Sequence, residues 1–406
     1  MREINFFLTM QISDIQLKTI TMKRILIALM ICFTCSIAYA QDSDSELLKK
    51  LVEKNILTQS EADEITKDSK KVDQKSSVTQ TVEKVRNAFN TPYMQFGGNG
   101  QVWYRYSDVK NASGVNHDFR AKNLFLSVNG KFNDSFRYGF LLELVNPSVQ
   151  EFWGEWTAAK EFNLKLGQFK VPFTLESIYV PATLETAAYS RTISNLAGYD
   201  ADVQNLQNGK NNFGRDAGVQ ISGELAPMAG GYNLIQYAAG VFQGMGVTFN
   251  EKNNTKDFAG TLMLQPAKGF RIGGGAYFGQ ATYQIDNEDA ADHVRNRWVV
   301  SADYKSDRFN ARAEWITAND GGISKEGVYG IAQYYLVPKK LNALARVDYY
   351  NKNKDLNSEV IDYTVGLNYY FAPMCRIQLN YTLSDYSKKW GADNSNVVIA
   401  QFQVGF

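Results

Sequence analysis

Read in twos from the last residue, Phe406, Val404, Phe402, Ala400 and Val398 fall on one side of residues 396–406, while Gln401 and Gln403 fall on the other. That is the period of a β-strand with one apolar and one polar face. The pattern recurs upstream. In residues 376–386, Ile377, Leu379, Tyr381 and Leu383 alternate with Arg376, Gln378, Asn380 and Thr382, and in 308–315, Phe309, Ala311, Ala313 and Trp315 oppose Arg308, Asn310, Arg312 and Glu314. About sixteen such segments follow one another, starting near 95, 120, 135, 149, 162, 214, 233, 256, 269, 295, 307, 326, 341, 361, 375 and 396. The segment 326–337 can be phased either way.

The links between segments sort by length. Every second one is short, as at Asn133-Asp134, 159–161, 266–268, Ser306, 338–340 and 372–374. Those between are mostly long, as at 107–119, 244–255, 283–294, 351–360 and 387–395, with Pro147-Ser148 the exception. Short turns at one end and long loops at the other are the pattern of an antiparallel transmembrane β-barrel, with both termini on the short-turn side. A soluble sandwich would alternate too, but nothing would sort its loops. In the cleanly phased strands the charges lie on the polar parity, as lipid requires, since Arg or Lys at mid-depth costs about 2–4 kcal/mol. The sequence therefore predicts an all-β, sixteen-stranded barrel over residues 92–406. A terminal aromatic such as Phe406 resembles the signal read by the barrel-assembly machinery.

The first ninety residues read differently. Met22-Lys23-Arg24, an apolar run over 25–33 and Ala38-Tyr39-Ala40 form a signal peptide with an A-x-A cleavage site, giving a mature start at Gln41. Residues 1–21 precede that start and are set aside with the leader as 1–40. Residues 41–91 carry two capping-box spacings, Ser43 to Glu46 and Thr58 to Glu61, with Leu47, Leu48, Leu51 and Val52 between. They predict a short helical periplasmic segment and charged linker. Its blander reading is a solvated tether, its sharper one an oligomerising or cell-wall-facing module.

Composition narrows the class. The chain is 44% hydrophobic and 13% aromatic, and no stretch after the leader has the 20 or so apolar residues of a spanning helix. Cleavage removes four basic and two acidic residues, so a formal charge of +1 becomes −1 and gives no support for nucleic-acid binding. Of the three cysteines, Cys32 and Cys35 lie in the leader, leaving Cys375 alone and no internal disulfide. His117 and His293, both assigned to outer loops, have no second ligand at metal spacing and no nucleophile motif nearby, so no enzyme, metal or cofactor is implied.

The longest link is the third long loop, 174–213, with Glu176, Glu185, Arg191, Asp200, Asp202, Lys210, Tyr179, Tyr189 and Tyr199. Just before it stands Leu166-Gly167-Gln168-Phe169-Lys170-Val171-Pro172-Phe173. This run resembles the G-Q-x-K-x-P-F signature of the phosphate-selective porin O and P family, and the likeness extends in general form over residues 95–406. The resemblance implies a Gram-negative outer-membrane porin surrounded by lipid, trimeric, with the third loop narrowing the lumen and a ladder of Arg and Lys favouring small anions. Candidate inward bases are Arg105, Lys122, Lys165, Lys170, Arg271, Arg297, Arg308, Arg312, Arg346 and Arg376, with Arg191, Glu176 and Glu185 on the constricting loop. The inward parity also carries Glu143, Glu151, Glu155, Asp216, Glu224, Asp303, Glu314, Asp348 and Asp362, so most charges can pair across the wall, or a basic stripe can face an acidic one. Strict alternation would aim Lys170 at lipid. A bulge at Gly167, or the end of the strand there, is expected to turn it to water. The alternatives are a non-selective or carbohydrate-passing porin, or a plugged barrel acting as a surface binder.

Overall fold

In a computed structural model the described residues are 90–405, less 92, 111–112, 208–210, 248–249 and 286–287. The leader, the segment 41–89 and Phe406 lie outside them. Sixteen antiparallel strands form one closed barrel. They are β1 (Met94–Ser107), β2 (His117–Asn133), β3 (Phe136–Glu143), β4 (Ser148–Ala159), β5 (Phe162–Lys170), β6 (Arg215–Met228), β7 (Tyr232–Phe242) and β8 (Asp257–Ala267), then β9 (Phe270–Tyr283), β10 (Ala291–Lys305), β11 (Phe309–Asp320), β12 (Ile323–Val337), β13 (Leu341–Asn351), β14 (Glu359–Ala372), β15 (Cys375–Tyr386) and β16 (Ser395–Gly405). Each pairs with its chain neighbours, and β1 closes on β16 from Asn99 opposite Gly405 to Ser107 opposite Val397. Closure pairs every strand edge, the condition for spanning lipid with strands.

The two faces follow the period of two. On β16, Phe402 and Val404 are exposed while Gln401 and Gln403 are buried inside. Large apolar side chains cover the outer wall, and Phe132, Phe136, Trp156, Phe162, Phe309, Tyr334, Phe371 and Phe402 gather toward its short-turn end, as in an interfacial aromatic girdle. The ambiguous segment takes the odd phase inward: Tyr329, Ile331 and Gln333 are buried and Val328 and Tyr334 exposed.

Three expectations need correction. His117 opens β2 and His293 lies in β10, where its Nε2 is 3.1 Å from the Tyr283 carbonyl, so neither sits in a loop. Arg308 is exposed on the β10–β11 turn, because β11 begins one residue later. Gly167 carries no bulge: the pairing runs unshifted from Asn163 to Gln168 against β4 and to Lys170 against β6. Gly167 instead adopts φ +130°, where an added Cβ would lie 2.2 Å from the Phe152 carbonyl oxygen. A Gly167→Val chain is therefore expected to lose well over 1 kcal/mol in β5. The measurement is the yield of the compact, heat-modifiable band on a gel, and wild-type yield would contradict it.

Candidate solute passage

Residues 171–207 and 211–214, between β5 and β6, enter the barrel. They carry two short helices, α1 (Arg191–Leu196), capped by the Ser190 hydroxyl accepting from Ile193 N–H, and α2 (Val203–Leu206), capped by Asp202. Ile193, Leu196, Tyr199 and Phe213 pack with Phe125, Val299, Ile316, Tyr329 and Ile331 of the inner wall. The loop thus brings an apolar core into a space that alternation alone would fill with water. Gly327 makes room for it, since a Cβ there would meet the Thr192 side chain at 2.6 Å.

Amide side chains hold the extended part of the loop. Gln101 donates to the Pro181 carbonyl at 3.0 Å, Gln403 to Ala182 at 3.1 Å, and Asn368 and Gln378 to Glu185 at 2.8 and 3.0 Å, while Asn380 accepts from Ala187 N–H at 2.6 Å. Each satisfies a peptide group that would otherwise be buried unpaired. Glu314 accepts the N–H groups of Leu175 and Glu176 at 2.6 and 2.9 Å, and Asp348 those of Arg191 and Thr192 at the start of α1. The role of the amides escaped sequence reasoning because an inward amide in a barrel reads as ordinary wet lining, whereas Glu314 and Asp348 were among the inward acids.

The candidate bases divide into two sets. Arg312 makes a two-pronged pair with Glu185 at 2.9 and 3.0 Å, Arg271 pairs with Asp303, and Arg191 with Asp362 at 2.7 Å. Glu176 accepts Ser190 N–H at 2.9 Å and stands 3.9 Å from both Arg312 and Arg346. Arg346 also donates to Thr186 and Ala188, and Arg376 to Gln403 and Tyr370. Arg297 is fully buried between Asp202 and Asp320, at 3.4 and 2.8 Å. Its neighbour two residues earlier, Arg295, is the main partner of Asp202, with both contacts at 3.0 Å. Arg295 shares Arg297's parity and was the missed signal, since β10 begins at Ala291 and not at 295. Lys170 gives its ammonium to the Tyr179 carbonyl, the Tyr199 hydroxyl and the Ser177 carbonyl, at 2.9, 2.9 and 2.5 Å. It turns inward, onto the loop.

Burial opposes ionisation of Asp202, but Arg295, Arg297 and the Gln204 N–H outweigh it and hold the carboxyl well below the usual range. A carboxylate with a depressed folded pKa contributes stability above its unfolded value and loses it only as pH falls through the folded one. The Asp202 anchor of the loop is therefore expected to hold from neutral pH to about pH 4, the ordinary carboxylate value. The difference in open-channel noise between wild type and Asp202→Ala should persist over that range, and its loss by pH 5 would refute this.

The other set lies on β1–β5. A cavity of about 260 Å³ runs between Val180, Pro181 and Ala182 of the loop and Asn99, Ser127, Leu141, Glu151 and Arg215 of the wall. Arg137 pairs with Glu155 at 3.1 Å and Arg215 with Glu151 at 2.7 Å. Lys165, directly across the strands from Glu155, instead places its ammonium 4.0 Å from the Trp153 ring centre and 5.4 Å from that of Phe169. Among the described residues no carboxylate lies within 4.0 Å of the charged groups of Lys165, Lys122 or Arg105. A wall that is charge-matched where the loop docks and keeps unpaired cations elsewhere can draw anions along that side.

A closed sixteen-stranded barrel narrowed from inside by its third long loop is the architecture of a porin. The profile of the family described as phosphate-selective porin O and P matches residues 94–406, and the chain belongs to that family. It is an outer-membrane porin of the Gram-negative type, a channel fold. Among solved structures, the anion-selective porin from Comamonas acidovorans superposes with a TM-score of 0.56 at 12% identity, over 77% of this chain and 99% of its own. The trimer form of OmpT, an outer membrane protein of Vibrio cholerae, gives 0.53 at 13% identity, over 77% and 99%. These likenesses establish the fold. Among curated protein sequences none matches the chain.

Proposed function

We propose that this porin admits small hydrophilic solutes by diffusion and favours anions, phosphate among them. The observation that carries the reading is the division of the cations: those on β9–β15 are spent on carboxylates and carbonyls of the loop and wall, while Arg105, Lys122 and Lys165 on β1, β2 and β5 have no carboxylate of the described residues in contact. An anion passing these cations exchanges part of its hydration for lysine and arginine donors, which suits passage. In this reading the short turns and the N-terminus face the periplasm, and the protein works as a homotrimer. The anion-selective Comamonas porin supports the anion preference, and the trimer form of OmpT the homotrimer, by likeness of fold. The lipid-exposed wall and Phe406 would be met by outer-membrane lipid and by the barrel-assembly machinery.

Planar-bilayer recording in a potassium chloride gradient, with and without added phosphate, tests the proposal. Ohmic steps with a reversal potential displaced toward that of chloride are expected. Steps without bias would instead favour a non-selective or carbohydrate-passing porin. Silence from correctly folded barrels would favour a plugged surface binder.

A further inference from the structure

The inward amides that meet the third loop are occupied: Gln101, Gln378 and Gln403 donate to its carbonyls, and Asn380 accepts one of its N–H groups. Ser127 and Asn129 differ. They follow Phe125 at steps of two on the lumen face of β2, where Ser127 opposes Gly97 and Asn129 opposes Gly139. Neither side chain makes a hydrogen bond with another described residue, and both line the cavity of about 260 Å³ between the loop and the wall.

That cavity joins two unlike surfaces. Leu141 of β3 and Pro181 of the loop are apolar, while Ser127, Asn129 and the Glu151 carboxylate are polar. Its charges cancel, because Glu151 Oε1 holds Arg215 through two nitrogens at 2.8 and 2.7 Å. Glu151 Oε2 accepts the Trp153 Nε1–H at 3.1 Å and keeps a second lone pair for another donor. A space with matched charges offers a small anion no excess positive field, and a wholly apolar solute would leave the free hydroxyl and amide without partners. A ring that is apolar on its face and carries hydroxyls around its edge satisfies both surfaces at once.

We propose that this cavity is a subsite for a neutral pyranose, a single sugar ring. Its hydroxyls bond to Ser127, Asn129 and Glu151 Oε2, the last being the stronger, charge-assisted contact, and its C–H face rests on Leu141 and Pro181. The site goes beyond the anion-preferring reading and does not depend on it, because Arg105, Lys122 and Lys165 are not part of the cavity lining. Anions and sugars then use different parts of one wall.

The test uses the full-length protein in planar bilayers, with glucose added to potassium chloride and sorbitol as the control. Sorbitol has the hydroxyls and the viscosity but no ring face. Glucose is expected to lower the current saturably, beyond the effect of sorbitol at the same concentration. Ser127→Ala and Asn129→Ala should each raise the half-inhibiting concentration roughly fivefold, the equivalent of one neutral hydrogen bond. Both side chains lack structural partners, so both variants should keep the heat-modifiable band, and a shift in either one suffices. A glucose effect no larger than that of sorbitol, or an unchanged half-inhibiting concentration in both variants, overturns the site and leaves the anion reading standing. Saturable inhibition by glucose that weakens in the variants, in channels without anion bias, would remove that reading and keep the site.

Discussion

Asp202→Ala is expected to release the third loop while leaving the barrel closed. The carboxylate holds Arg295 at 3.0 Å through two contacts, touches Arg297 at 3.4 Å, and caps α2 through Gln204 N–H at 2.9 Å. Both arginines are buried, so removing Asp202 leaves them short of a counter-charge away from water. Breaking a buried pair in this way costs about 3–5 kcal/mol, more than the roughly 1 kcal/mol of a lost helix cap. The strands keep their ladder hydrogen bonds, and the heat-modifiable band should persist. What changes is the constriction: single-channel conductance should rise, traces should flicker, and residues 171–214 should become sensitive to protease. Asp202→Asn separates the causes, because it keeps an acceptor for Gln204 and loses the charge. Quiet, wild-type conductance in both variants would show that the amides hold the loop without the ion pairs.

Lys165→Glu is expected to abolish or invert the preference for anions. One unit charge at 4 Å is worth about 1 kcal/mol in water, so reversing the sign changes the balance for a passing monovalent ion by about 2 kcal/mol before screening. That is roughly thirtyfold for each ion, in opposite senses for anion and cation, before screening reduces it. Screening gives the claim a second signature. The effect should shrink steeply between 0.1 M and 1 M salt, as the Debye length falls from about 10 to about 3 Å. Arg308→Gln is the matched control, because Arg308 is exposed on a turn and its charge should leave the reversal potential unmoved. An unchanged reversal potential in Lys165→Glu at low salt would remove Lys165 from the selecting groups.

The periodicity of the chain made the barrel legible. Lipid outside and water inside impose opposite demands on successive residues, so strand number, the outward face of β16 and β15, and the alternation of short and long connections can all be read without coordinates. A third loop of some forty residues, long enough to fill a lumen, was legible for the same reason. What the roles of individual bases would be was not. Arg271, Arg312 and Lys165 share one parity and look alike in sequence, yet the first two are clamped by Asp303 and Glu185 while the third stands over an indole. That difference depends on where the third loop crosses the barrel, a long-range fact to which no local pattern is sensitive.

The same crossing explains the other discrepancies. Tyr329 and Ile331 blurred the phase of β12 because they are apolar and face inward, toward Ile193 and Leu196, not because the strand is irregular. Gln101, Gln378 and Gln403 seemed neutral lining and proved to be peptide clamps. The register slip at Lys122 and the positive φ of Gly167 leave no mark on a period-two reading, since each changes a side chain's direction without changing its type. Sequence by itself determined that this chain closes into a lipid-facing, water-lined cylinder, because solvent acts on every residue singly. Only the tertiary structure decided which charges remain free to meet a solute, because a charge is neutralised by its neighbours in space.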